Sequence, residues 1–208
     1  HSQWQGGHWS TKGRTEPVRF AARFVDTVMQ SLGLGERSNR KGGIIFTDQN
    51  IEPLADVELQ LDWDVAFRDA LGGRIRLYRV AGDIMVPDEP PFPLGLEEAS
   101  ATIVLTPQGG GRSQVEAAVV LRTAKMGYLQ GQLTTPLYYS AEHGFELRER
   151  DLKTIVLDAQ MDDLSWTSLI IGDAMDLGGE LDAQVQIQVR ELDNLTMQGQ
   201  IRGQKLRV

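Results

Sequence analysis

Over residues 57–67 apolar and polar side chains change places at every step. Val57, Leu59, Leu61, Trp63, Val65 and Phe67 alternate with Glu58, Gln60, Asp62, Asp64 and Ala66. Successive Cβ atoms of a strand point to opposite sides, so this pattern describes a β-strand with one greasy and one wet face. Leu71-Gly72-Gly73 is expected to turn the chain, and Arg74-Ile75-Arg76-Leu77 to bring it back with Ile75 and Leu77 on the apolar side. The layout returns after Leu177-Gly178-Gly179, where Leu181, Ala183, Val185, Ile187 and Val189 alternate with Asp182, Gln184, Gln186, Gln188 and Arg190. A chain written this way presents a broad apolar sheet face and shows no evident cap for it.

The middle of the chain fixes a register. Paired about the Gly109-Gly110-Gly111 turn, Leu105 meets Val115, Ile103 meets Ala117, Ala101 meets Val119 and Ala99 meets Leu121. Apolar faces apolar at every rung, large against small. The next strand keeps the parity, with Leu121 opposite Leu129, Val119 opposite Gly131 and Ala117 opposite Leu133. Ile155, Leu157, Ala159 and Met161 resume the alternation. In the closing hairpin Val189 faces Leu195, Ile187 faces Met197, Val185 faces Gly199 and Ala183 faces Ile201. A slip of one residue would put all of these side chains on the wrong face, so an antiparallel meander is the expected fold.

Other segments are less regular. Residues 3–14 read as an opening strand or hairpin with a glycine break, and residues 17–23 could continue as a strand. Ala21, Phe24, Val25, Val28, Met29 and Leu32 line one side of a helix, which Gly33 and Gly35 would end. Residues 36–43 form a charged loop, and residues 44–46 a short strand. Gly82 to Val86 is expected as a separate short strand. The proline-rich residues 87–93 cannot sit inside a sheet and are expected to cross its edge. Asp162 or Asp163 could cap a second short helix carrying Leu164, Trp166, Leu169 and Ile170. Both helices fall between blocks of strands, so parallel βαβ units are not expected.

At 208 residues with 41% apolar content, the chain could be one large all-β domain, two small ones or a slice of something longer. Its start at His1-Ser2 reads as a cut end. A net charge of −8 argues against nucleic acid or an anionic membrane surface as the main partner. The absence of cysteine rules out disulfides and thiolate metal sites. His1, His8 and His143 lack metal-ligand spacing, and no hydrolase elbow, P-loop or dinucleotide fingerprint occurs. Asp62 and Asp64 fall on the polar face, where Asp64 is expected to meet Arg74 or Arg76 across the hairpin. Neither an enzymatic reaction nor a cofactor is expected.

Units of the form Leu-Gly-Gly-x-Leu, then an alternating strand, then Gly-x-Ile/Leu-x-Gly, occur as Leu177-Gly178-Gly179-Glu180-Leu181 and Met197-Gln198-Gly199-Gln200-Ile201-Arg202-Gly203. An earlier set comprises Asp62-Trp63-Asp64, Leu71-Gly72-Gly73-Arg74-Ile75, Gly82-Asp83-Ile84 and Pro93-Leu94-Gly95-Leu96. In this order they resemble the TamB family of AsmA-like envelope proteins over residues 54–208, with a weaker echo from Trp4 to Arg14. Residues 21–43 have no counterpart and read as an insertion. The resemblance implies an elongated, U-shaped antiparallel sheet, a β-taco, with an apolar groove. It also implies a periplasmic location in a protein anchored in the inner membrane, with the outer-membrane barrel TamA as partner. The expected functions are passage of phospholipid to the outer membrane and assembly of outer-membrane proteins. Neighbouring segments of the same chain would continue the sheet at both ends.

Read this way, the groove would be lined by Val57, Leu59, Leu61, Trp63, Val65, Phe67, Ile75 and Leu77 of the first hairpin. The middle block would add Ile103, Leu105, Val115, Val119, Leu121, Leu129, Leu133, Ile155 and Leu157. The last would add Leu181, Val185, Ile187, Val189, Met197 and Ile201. Phospholipid acyl chains are the expected occupant. Two readings of this face stay open: a sandwich whose layers cover each other, in which Trp63 and Phe67 are plain core, or a bent trough. About a dozen strands at roughly 4.8 Å spacing would build a wall of about 55–60 Å.

Overall fold

The computed structural model shows one antiparallel, unclosed sheet of 13 strands. The structure describes residues 2–5, 8–21, 54–86, 92–148, 150–164, 178–191 and 194–207. The expected helices, the 36–43 loop and the strand at 44–46 lie outside these residues, apart from Ala21, which ends a strand, and Leu164, which is buried outside any strand. The strands are β1 (Ser2–Gln5), β2 (His8–Arg14), β3 (Val18–Ala21), β4 (Leu54–Phe67), β5 (Leu71–Val86), β6 (Phe92–Pro93), β7 (Leu96–Gly109), β8 (Arg112–Thr123), β9 (Gly127–Ser140), β10 (Gly144–Glu146), β11 (Lys153–Met161), β12 (Gly178–Glu191) and β13 (Asn194–Arg207). The fold is all-β, and no helix occurs among the described residues.

The sheet path runs β1-β2-β4-β5-β7-β8-β9-β11-β12-β13. Neighbours in space are near neighbours in sequence, as short connections require. Three short strands do not lengthen the wall: β3 pairs with β4, β6 with β5 and β10 with β9. Ten strands at about 4.8 Å therefore give an arc of about 43 Å, shorter than the expected wall. The strands themselves are long, with 14 residues in β4 and 16 in β5, beyond the common strand length of about 3–10 residues.

The registers read from the alternation are the observed ones. Leu105 faces Val115 and Ala99 faces Leu121, Leu121 faces Leu129, and Ile187 faces Met197. The first hairpin differs from expectation at its turn. Arg68, Asp69 and Ala70 reverse the chain, and Leu71 already faces Phe67. Gly72 and Gly73 lie inside β5, and Gly178 and Gly179 likewise inside β12. Gly73 and Gly179 serve close backbone approach rather than reversal: Gly73 sits at φ +126°, and a Cβ there would come within 2.0 Å of the Asp64 carbonyl oxygen, while at Gly72 it would meet the Pro107 ring.

Residues 82–86 are not a separate strand but the far half of β5. Glu58 faces Ala81 while Leu59 faces Arg79, which leaves Val80 as the extra residue of a bulge. Side chains take over the ladder where a neighbouring strand is interrupted. Between β6 and β7 the Asp83 carboxylate accepts the backbone N–H of Ile84 at 2.7 Å, Gly95 at 3.1 Å and Leu96 at 2.9 Å. Between β2 and β3 the Thr15 hydroxyl accepts Leu61 N–H at 3.1 Å, and Gln60 Nε2 donates to the Thr15 carbonyl at 2.8 Å.

Gly73→Ala is expected to cost more than the roughly 1–2 kcal/mol of a left-handed alanine alone, because the new methyl also meets backbone. Gly110→Ala, at a turn where a Cβ meets nothing within 4 Å, should cost only the conformational part. Urea unfolding of the two variants measures the difference.

Candidate functional site

The register joins the apolar positions into rows that cross the sheet. One runs Trp63–Ile75–Ile103–Ala117–Leu133–Ile155–Ile187–Met197. The next runs Leu61–Leu77–Ala101–Val119–Gly131–Leu157–Val185–Gly199. All the residues expected to line the groove share this parity, from Val57 and Leu59 on β4 to Ile201 on β13. The other face is mostly polar. Asp62, Arg76, Thr102, Ala118, Gln132, Val156, Gln186 and Gln198 form the matching row.

The sheet bends toward its apolar side. Phe67 on β4 and Tyr139 on β9 are four strands apart along the path, about 19 Å in a flat sheet. Their rings nevertheless meet edge to face, with centroids 4.6 Å apart. Phe145 on β10 joins them at 6.1 Å from Phe67 and 5.0 Å from Tyr139, and Trp9 on β2 stacks on Phe67 at 6.3 Å. Beside this cluster Ser113 of β8 donates to the Leu71 carbonyl of β5 at 2.6 Å, across the intervening β7. The ring contact needs side chains of one face to converge, and the hydrogen bond brings β8 toward β5, as a concave face allows.

Burial divides the face in two. Around the aromatic cluster it is closed: Val65, Phe67, Ala70, Leu105, Ser113 and Thr135 are buried. At the far strand ends Leu96, Thr123 and Ala159 are buried again. Along the middle of the strands the apolar rows face solvent, with Leu77, Ile103 and Leu157 each 38% exposed and Val119 52% exposed. The sheet is therefore not the inner face of a tight two-layer sandwich over this region. Val65, Phe67 and Leu105 belong to a packed base rather than an open lining. Trp63 is half-buried: its indole lies over Gly13 and donates from Nε1 to the Thr11 hydroxyl at 3.1 Å. On β13 every described side chain is exposed, Met197 and Ile201 included.

Sequence reasoning missed Trp9, Tyr139 and Phe145, whose rings gather around the buried Phe67. Residues 137–147 look irregular along the chain because β9 runs to Ser140 and the chain then folds back as β10, pairing Phe145 with Tyr139. The ring contacts join residues far apart in sequence, so no local period announces them.

Charge is confined to the outside and to the rims. Asp64 pairs with Lys12 on β2 at 2.6 Å, not with Arg74, although Arg74 stands opposite it on β5. Lysine reaches along the polar face from the other neighbouring strand. The Arg19 guanidinium makes two hydrogen bonds to the Asp56 carboxylate and holds its pKa below the ordinary value. Tyr128 donates to Asp158 at 3.1 Å, and that bond raises the tyrosine pKa. Arginines sit over tyrosine rings, Arg148 over Tyr138 at 3.9 Å and Arg76 over Tyr78 at 4.8 Å. No three His, Asp or Glu side chains gather into a metal-holding group among the described residues.

No protein-family model, curated protein or solved structure matches the chain.

The two halves of the apolar face should respond differently to truncation. Leu105→Ala in the base is expected to cost about 2–5 kcal/mol. Val119→Ala on the open part should cost less than about 1 kcal/mol, since a half-exposed side chain loses little burial. Denaturant titration of the two variants reads this directly.

Proposed function

We propose that this chain is a segment of a periplasmic lipid-conducting β-groove protein of the TamB type, and that its concave face shields acyl chains from water. The observation that carries the reading is an apolar face continuous across eight strands, bent inward and yet solvent-exposed over Leu77, Ile103, Val119 and Leu157. Exposed apolar surface of this extent marks an interaction site. Its concavity favours a flexible apolar filling over a flat partner.

The energetics suit a conduit. Carrying a two-tailed lipid through water exposes roughly 28 methylenes at about 0.8 kcal/mol each, on the order of 20 kcal/mol. A greasy trough and a bilayer are nearly equivalent solvents for those tails, so the trough removes the aqueous barrier without tight binding. In the parent protein the lipid would pass between inner and outer membrane, with the barrel TamA as the outer partner.

A second reading rests on β13, which ends the sheet path and is exposed on both faces. A free strand of 14 residues can receive a client strand by β-augmentation, as an assembly module would require.

Photo-crosslinkers at Ile103, Val119 and Leu157 are expected to capture phospholipid in cells, and crosslinkers at Gln132 and Gln186 on the polar face are not. Adducts to protein concentrated along β13, with none to lipid on the apolar face, would select the assembly reading instead.

A further inference from the structure

A positive charge stands on the apolar face. Arg79 of β5 lies opposite Leu59 and two residues beyond Leu77, and it shares their parity. Arg74, Arg76, Arg112, Arg122 and Arg202 all fall on the polar face instead. There Arg76, Arg112 and Arg122 lie over tyrosine rings.

Arg79 has no such partner. Its Nε and Nη2 donate to the Gly82 carbonyl at 2.9 and 2.6 Å, and Nη1 donates to the Glu97 carbonyl at 3.3 Å. Glu97 thus offers its backbone and not its carboxylate, while Asp83, the next carboxylate along β5, stands on the polar face opposite Asp56. No carboxylate among the described residues pairs with Arg79. Both terminal nitrogens keep an N–H without an acceptor.

The bulge explains the placement. Val80 is the extra residue, so β5 holds the parity of the apolar face up to Arg79 and loses it at the next step. Bulges re-aim side chains in this way. The two carbonyls fix the guanidinium beside the buried Leu96, at the border of the open rows that include Leu77. A fixed guanidinium with free donors and no counter-charge suits an anionic oxygen group, and the apolar rows beside it suit hydrocarbon.

We infer that Arg79 is the headgroup anchor of the apolar face, and that the ligand is an amphiphile with an anionic phosphate head. This step rests on the lipid reading above. The phosphate meets the guanidinium at the Leu96 border, and the tails lie over Leu77, Ile103 and Val119. A neutral lipid with the same tails lacks the group that Arg79 recognises.

The test uses the full 208-residue chain and sets phosphatidylglycerol against diacylglycerol with the same acyl chains, by competition in native mass spectrometry. The wild type should prefer phosphatidylglycerol about ten- to a hundredfold. Arg79→Gln should bring the two lipids within about threefold of each other, with diacylglycerol still bound. Arg76→Gln, on the polar face, should keep the preference. Leu59→Glu sets a carboxylate opposite Arg79 without touching its carbonyl bonds, so it decides the matter if Arg79→Gln does not fold. It should abolish the preference, and Leu59→Gln should retain it. Preference kept in either Arg79→Gln or Leu59→Glu overturns the anchor and leaves the lipid reading standing. So does a wild type that takes both lipids equally. Glycerol phosphate bound as tightly as phosphatidylglycerol assigns Arg79 to free phosphate and also overturns the anchor. Binding of neither lipid removes the lipid reading and the anchor with it.

Discussion

Register is the constraint on which this structure depends. Once Leu105 faces Val115 and Ile187 faces Met197, the twofold repeat of the strand sends the alternating apolar positions from β4 to β13 to the same side, with only a few such as Val104, Val120 and Val156 left on the other. No local adjustment can undo this, because a slip of one residue would turn a whole strand over. The sheet is therefore two-sided in composition before it has any curvature. Asp, Gln, Thr and Arg hold the wet face, with Lys12–Asp64 and the Arg–Tyr stacks spread along it. The greasy face is left to find its own cover.

Cover is found at the ends of the strands, with Leu96, Thr123 and Ala159 buried opposite the aromatic base, and not along their middle. The convergence of Phe67, Tyr139 and Phe145 with the Ser113–Leu71 hydrogen bond buries a compact core at the base, and the bend this demands makes the remaining face concave. Backbone irregularities work in the same direction. The extra residue Val80, the close approach at Gly73 and the side-chain substitutions by Asp83 and Thr15 let long strands twist and bend without losing their partners. Folding thus stabilises one part of the face by packing and leaves another exposed. That exposed part is the basis of the proposed function.

Alternation and turn glycines made the sheet legible in advance, down to individual pairs such as Ala183 with Ile201. They work because they are local: a strand declares its faces within a few residues. The same locality explains the errors. Gly72 and Gly73 were expected at the reversal, yet glycine serves close backbone approach as readily as turning. The Asp64 partner comes from β2, 52 residues away along the chain, and no pairing within one hairpin could reveal it. The division of the face into a closed base and an open band depends on rings from β2, β4, β9 and β10 meeting in space. Phe67 and Val119 look alike in sequence, and only curvature separates their roles.

The central claim is that the open band is a seat for hydrocarbon and not a core. Native mass spectrometry of the chain purified from cells tests it most directly, with Ile103→Arg/Val119→Arg prepared alongside. The account predicts phospholipid bound to the wild type, and a double variant that melts near the wild-type temperature but carries none. A wild type free of lipid, a double variant that retains it, or a double variant that no longer folds would each contradict it.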